Sequence, residues 1–223
     1  LLDGGVGSGS LREAIKQAVN GDTITLVSGT YELSITGTDD TTVGGDLDIN
    51  NKTITIVGAG KDVTFIDANQ IDRVFHIYGG SNVILKDLTI TGGLLNYSHG
   101  AGIHADGSTL TLDNVKINNN VVQSTGAGDR HGGGLYLNNA TVTGTGVDIT
   151  NNRAERNGGG NNDVGGGAWI SGDSTITLTD VVITGNTARD GGGFYISVGN
   201  FGGSSVNLTN ATINNNTGVV RAG

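Results

Sequence analysis

The sequence predicts an all-β chain wound as a three-faced parallel β-helix, with a short helical cap over residues 1–21 and the β-helix over residues 22–223. One observation is a recurring glycine-rich opening: Gly100-Ala-Gly-Ile-His-Ala, Gly132-Gly-Gly-Leu-Tyr-Leu, Gly165-Gly-Gly-Ala-Trp-Ile and Gly191-Gly-Gly-Phe-Tyr-Ile. These return after about 26 to 33 residues, a period that belongs to solenoids. A second is strict alternation of apolar and polar residues in short runs between the openings, the pattern of strands with one buried face. A third is that only one segment, near the start, carries a helical period.

That segment begins at Ser10-Leu-Arg-Glu13, a capping box in which the Ser hydroxyl accepts from the Glu13 amide. Leu11, Ile15 and Val19, with Ala14 and Ala18 beside them, form its apolar stripe, and Asn20-Gly21 is the expected left-handed stop. Such a helix shields the first rung, since an open solenoid end exposes both core and strand edges.

From Asp22 onward the runs Thr23–Leu26, Tyr31–Ile35, Asp46–Ile49, Thr53–Ile56 and Val74–Ile77 read as strands. Later repeats carry three strands each, as in Phe194–Ile196, Val206–Leu208 and Ala211–Ile213. About seven rungs at the strand spacing of roughly 4.8 Å give a rod roughly 33 Å tall. Asp87, Asn114, Gly146, Asp180 and Asn210 fall between the second and third strands, and all are residue types that accept left-handed corners. Asn120, Asn152, Asn186 and Asn216 each follow an Ile by three residues, and stacked from rung to rung they are expected to form a structural amide ladder.

Composition narrows the function. Forty-one glycines without a proline fit neither collagen nor a disordered linker once the alternation is counted. A formal charge of −9 and a pI near 4.6 argue against nucleic acid and anionic membranes as partners, and no apolar run is long enough for a membrane span. The chain contains no cysteine, which removes disulfides and thiolate metal sites. It also contains no methionine, and its last residues, Ala222-Gly223, open a further repeat. The expectation is a processed piece of a longer array whose β-helix continues beyond Gly223, in the same polypeptide or in a neighbouring copy.

The combination Ile183-Thr-Gly-Asn-Thr-Ala-Arg-Asp-Gly-Gly-Gly-Phe194 resembles the repeats of chlamydial-type polymorphic outer membrane proteins, in which Gly-Gly-Ala-Ile is paired with Phe-x-x-Asn. Ile stands here in place of that Phe. Ser10-Leu-Arg-Glu-Ala-Ile15 is similar to the start motif of right-handed β-helix surface proteins, without the Cys that often precedes it. The resemblance implies a right-handed winding, an exported or cell-surface location, and an adhesive or architectural role with no shared catalytic residues.

Three sets of residues are candidates for contact. His104, Tyr136, Trp169 and Tyr195, preceded by His76, follow successive openings and are expected to form an outward column, either a stacked ladder or a platform for surface glycans. Thr109 and Thr111, Thr141 and Thr143, and Thr175 and Thr177 form ranks that decay to Ser205 and Asn207, the pattern of an exposed sheet face or, as a third functional reading, of an ice-binding one. Insertions Leu94–His99, Val121–His131 and Arg153–Val164 are expected as loops on one edge, which also holds Asp129, Arg130, His131, Arg153, Glu155, Arg156, Asp163, Arg189 and Asp190. Arginines beside an acid or base are ingredients of a polysaccharide lyase or hydrolase, the alternative to the adhesive reading. Asp39-Asp40, Asp46 and Asp48 match no calcium-loop spacing, so neither metal nor cofactor is expected.

Overall fold

The computed structural model describes residues 9–37, 44–96, 98–124, 130–156, 163–197 and 203–218. These residues form a parallel β-solenoid of about six turns with one short helix at its N-terminal end. None of the described helices is long and apolar enough to cross a membrane. Asp39-Asp40, Asp129 and Ala222-Gly223 lie outside the described residues, as do the side chains of Arg130, Arg156 and Asp163.

Every strand pairs in parallel with its equivalent one turn away. The face that opens each turn stacks Leu47–Asn50, Phe75–Tyr78, Ile103–Asp106, Leu135–Asn138, Ala168–Ser171 and Phe194–Ile196. The second and third faces belong to one ten-stranded sheet bent along a corner. Asn82–Thr91, Thr109–Asn118, Thr175–Thr184 and Ser205–Asn214 each cross that corner as a single strand. They do so at Asp87, Asn114, Asp180 and Asn210, with φ of 54°, 53°, 53° and 51°. The column of corner residues is therefore as expected. At its glycine member, Gly146, the strand divides into Thr141–Thr145 and Asp148–Thr150.

The helix Leu11–Gln17 stands where an earlier strand of the opening face would be, packed on Leu47–Asn50, which is why that face has six strands rather than about seven. Ser10 caps it by accepting from the Glu13 amide at 3.2 Å. The stop differs from the expected one. The helix ends at Ala18 in extended geometry, and Val19 is 66% exposed, outside the buried stripe of Leu11, Ile15 and Ala18. Its last carbonyls are bound from the next rung, by Lys52 Nζ donating to Ile15, Lys16 and Ala18 at 3.0, 3.0 and 2.6 Å. A cation there also opposes the negative end of the helix.

Inside, aliphatic residues stack by type of position, as in Leu110, Val142 and Ile176, or Ile117, Ile149 and Ile183, all fully buried. Beside this core runs the amide ladder. Asn120, Asn152 and Asn186 are completely buried, and each Nδ2 donates to the Oδ1 of the next Asn at 3.0, 3.1 and 2.9 Å, ending on Asn216. The same Nδ2 groups donate to main-chain carbonyls of Ile90, Ile117 and Ile149, and that of Asn216 to Ile183. The backbone amides of Asn120, Asn152 and Asn186 donate to the next Oδ1 as well. Each carboxamide thus satisfies polar groups of two rungs where water does not reach.

Segments expected as loops after the ladder are in part strands. Leu94–Asn96, Val121–Ser124, Arg153–Arg156, Thr187–Ala188 and Thr217–Gly218 form a fourth, short parallel ladder, and Arg130–His131 pairs with Asp163–Val164. The cause is an apolar residue two positions after each ladder site: Leu95, Val122, Ala154 and Ala188 are all buried, the first two together with Ala101.

The glycine openings pack on that ladder. A Cβ on Gly134 would lie 2.9 Å from the Asn152 carboxamide, and one on Gly133 would lie 2.6 Å from the main chain of both Arg153 and Gly166. Gly107, by contrast, has φ of 55° at a corner where a Cβ meets nothing within 4 Å. Gly133→Ala is expected to lower unfolding stability by about 3 kcal/mol or more through overpacking against backbone, and Gly107→Ala by about 1–2 kcal/mol through the left-handed conformation alone. Urea unfolding of the two variants checks this, and equal losses would contradict the packing argument.

Candidate functional site

The outward column is longer than the sequence suggests. Strand register aligns Asp48, His76, His104, Tyr136, Trp169 and Tyr195, one per turn. The rings close on one another. Tyr136 and Trp169 stack at 4.5 Å between centroids, Tyr136 meets His104 edge-on at 4.5 Å, and His104 lies 4.9 Å from His76. Tyr195 is aligned with Trp169 and exposed at the end of the column. A second file runs alongside: His99 stacks on His131 and Tyr136, and His131 stacks on Trp169, all at 4.8 Å. All four histidines of the chain therefore belong to one aromatic ridge. Offset and edge-on ring pairs contribute about 0.5–1.5 kcal/mol each beyond burial, so the ridge stabilises the opening face. At these separations its rings bind each other, and no sugar ring fits between them.

Below the ridge lies a charged cluster. Asp48 lies on the strand Leu47–Asn50 and Asp46 immediately before it, and both are 3% exposed. Arg73, on the next rung, places Nη1 at 2.6 Å from Asp46 Oδ2, while its Nε and Nη2 donate to the His99 carbonyl and Nη2 also donates to Ser98 Oγ. Asp72 accepts from the Arg73 amide. Arg12 of the capping helix donates to the main-chain carbonyls of Asp46 and Gly45 at 2.5 and 2.7 Å. His76 Nδ1 stands 3.3 Å from Asp48 Oδ1. One ligand atom from each of Asp46, Asp48 and His76 fits within a mutual separation of 4.8 Å.

Burial is the main influence on the ionisations here. It raises the Asp46 carboxyl to about 7, against the pull of Arg73 and with the help of Asp48 and Asp72. It lowers the His104 imidazole to about 2, reinforced by Arg73, His76 and His99, so that ring is neutral at ordinary pH. Asp72 is raised, again chiefly by burial.

The candidate loop edge, the locus of the alternative catalytic reading, is described in part. Arg153 Nη2 is engaged with Glu155 Oε1 at 2.7 Å on the same strand, and His131 is stacked in the ridge. Asp190 is exposed, and Arg189 is half-buried with an enclosed Nη1 that lacks a hydrogen-bond partner. A recess of about 330 Å³ is lined by Asp67, Asn69, Gln70, Gly92 and Leu94 and shares nothing with ridge or cluster. The threonine ranks are in register as expected, Thr109 with Thr141 and Thr175 and Thr111 with Thr143 and Thr177, and preceding strands interrupt them with Asn82 and Ile84.

Sequence spacing passed over Asp72 and Arg73 and set Asp46 and Asp48 aside. The available signal was positional. Register places Gly45, Arg73, Ala101, Gly133, Gly166 and Gly192 in one column and Asp46, Val74, Gly102, Gly134, Gly167 and Gly193 in the next. Charged residues in otherwise small-residue columns mark the two rungs that lack a ladder Asn. Comparison of the chain with protein-family models, with curated proteins and with solved structures gives no match.

The two buried groups give opposed pH dependences. His104 is neutral in the folded chain down to about pH 2 but protonates near 6.5 when unfolded, so its contribution is lost as pH falls below 6.5. Asp46 holds its proton when folded up to about pH 7 and releases it near 3.8 when unfolded, so its contribution is lost as pH rises through that window. In chelator-containing buffer, His104→Phe is expected to leave stability that falls as pH rises from about 4 to 7. Asp46→Asn is expected to leave stability that rises over the same range, each slope approaching about 1.4 kcal/mol per pH unit. Urea midpoints across that range check the signs, and parallel profiles would contradict the assignment.

Proposed function

We propose that this chain is a non-enzymatic structural and adhesive segment of an exported or cell-surface protein, of the kind built from polymorphic outer membrane protein-type repeats. The observation that carries the reading is the aromatic ridge: rings on successive turns fill the outward side of one face and present a continuous, half-buried contact strip rather than the walls of a cleft. Aromatic strips of this kind supply large contact area with little side-chain entropy to lose, which suits attachment to a protein or glycan surface. The pairing of Arg153 with Glu155 further supports a non-catalytic edge.

The partner that fits the rod itself is a further rung of the same construction. Ser205–Asn214 pairs on one side with Thr175–Thr184, and Ile213 is 57% exposed and Ile196 40% exposed beside it. A strand edge with exposed aliphatics is a template for continued parallel pairing, in the same polypeptide or from a neighbouring copy.

Beads coated with the chain are expected to aggregate or to be retained on a polysaccharide-coated surface. A Tyr136→Ala/Trp169→Ala double variant is expected to reduce this by on the order of tenfold or more while its far-ultraviolet circular dichroism is unchanged. Dispersed, unretained beads, equal retention by the double variant, or release of reducing ends or unsaturated sugars from the polysaccharide would overturn the reading.

A further inference from the structure

The geometry points to a site for one divalent transition-metal ion of the zinc type, held by Asp46, Asp48 and His76 at the N-terminal end of the ridge. It does not depend on the adhesive reading. Ligands at about 2.1 Å from a tetrahedral ion are separated from one another by about 3.4 Å. His76 Nδ1 and Asp48 Oδ1 lie 3.3 Å apart, and the Asp46 carboxylate completes a set whose atoms all fall within 4.8 Å. Asp48 and His76 are register partners on adjacent parallel strands, and Asp46 lies two residues before Asp48, next to the start of its strand. Asp48 and His76 are thus fixed by backbone pairing, and Asp46, in the bend just before that strand, is held by Arg73, the preorganisation that a metal site needs.

Asp46 and Asp48 are buried side by side, with Asp72, Arg12 and Arg73 close by. Arg73 covers Oδ2 of Asp46 and directs its remaining donors to Ser98 and His99. Arg12 directs hydrogen bonds to main-chain carbonyls of Gly45 and Asp46. Two carboxylates buried side by side repel unless a positive charge lies between them. A second observation points the same way. The ring of His104 lies 4.9 Å from that of His76, and its enclosed Nδ1 has no hydrogen-bond partner.

The donor set selects the ion. Imidazole with carboxylates suits zinc and its first-row neighbours, whereas calcium requires six to eight oxygens and magnesium an octahedron largely of oxygen and water. With Arg12 bound to the same segment, the ion staples the capping helix and the first two strands of the opening face. Burial of Asp46 and Asp48, each 3% exposed, makes its role structural.

The test uses the whole chain, stripped with a chelator and titrated with zinc chloride by calorimetry, and with cobalt(II) followed by visible absorption. The expected result is one zinc per chain, a rise in the thermal midpoint on binding, and the visible bands of tetrahedral cobalt. Asp48→Asn and His76→Ala are each expected to weaken zinc binding by at least about tenfold, while His131→Ala, in the ridge but outside the triad, retains it. Absence of zinc binding by the wild type, undiminished binding by both triad variants, or preference for calcium over zinc would overturn the site. Should the variants fail to fold, the cobalt spectrum of the wild type decides alone, and its absence is equally contrary.

Discussion

The structure rests on how a solenoid satisfies the backbone at a corner that water cannot reach. Where the third face turns toward the next glycine opening, the carbonyls of Ile90, Ile117, Ile149 and Ile183 are directed inward, and an asparagine carboxamide answers each one. Asparagine suits the position because one side chain both donates and accepts, so a column of identical residues continues from rung to rung without a mismatch. A buried acceptor left unpaired costs about 1–3 kcal/mol, and the ladder avoids that cost at every turn. The glycines follow from it. The carboxamides line the volume beside Gly102, Gly134 and Gly167, where a Cβ would also meet main-chain oxygens at 2.5, 2.6 and 2.4 Å, so no side chain fits there as well.

The first two rungs depart from this rule, and the chemistry of the molecule is concentrated in them. Gly93 stands at the ladder position of the preceding turn, donating its amide to Asn120 Oδ1, and one turn earlier Asn69, three residues after Ile66, is exposed rather than buried in the ladder. The small-residue columns there hold Asp46 and Arg73 in place of glycine, with Asp72 beside them. An apolar solenoid end is thereby joined to its cap through ionic and main-chain contacts, Arg12 from the helix and Arg73 from the second rung converging on Asp46. Burial moves the Asp46 carboxyl and the His104 imidazole in opposite directions, which couples this end of the rod to pH. The ridge then grows from the same column, beginning with Asp48 and His76 and passing into stacked rings. The aromatic ridge and the charged cluster beside the cap are thus two stretches of one outward file.

What the sequence made legible were the constraints that repeat. Left-handed corners admit few residue types, so Asp87, Asn114, Asp180 and Asn210 could be placed before any coordinates. The ladder asparagines and the ring column repeat once per turn in the later part of the chain, and they too were readable. Val19 was misplaced because local helical spacing continued past the point where Lys52, contributed from the next rung, closes the helix. The fourth short ladder was hidden by variable insertions, although Leu95, Val122, Ala154 and Ala188 mark it. The charged cluster was hidden for a different reason. Its members come from positions separated by about a full turn, and Asp72 and Arg73 replace a repeat motif instead of displaying one.

The dependence of the rod on its amide ladder is open to one direct measurement: equilibrium urea unfolding of Asn152→Ala beside the surface change Thr143→Ala. Loss of Asn152 removes a donor to the Ile117 carbonyl and the acceptor of the Asn120 amide, and interrupts the column in both directions. The expected loss is about 3 kcal/mol or more for Asn152→Ala, against less than about 0.5 kcal/mol for Thr143→Ala. Comparable midpoints for the two variants would contradict a central role for the ladder.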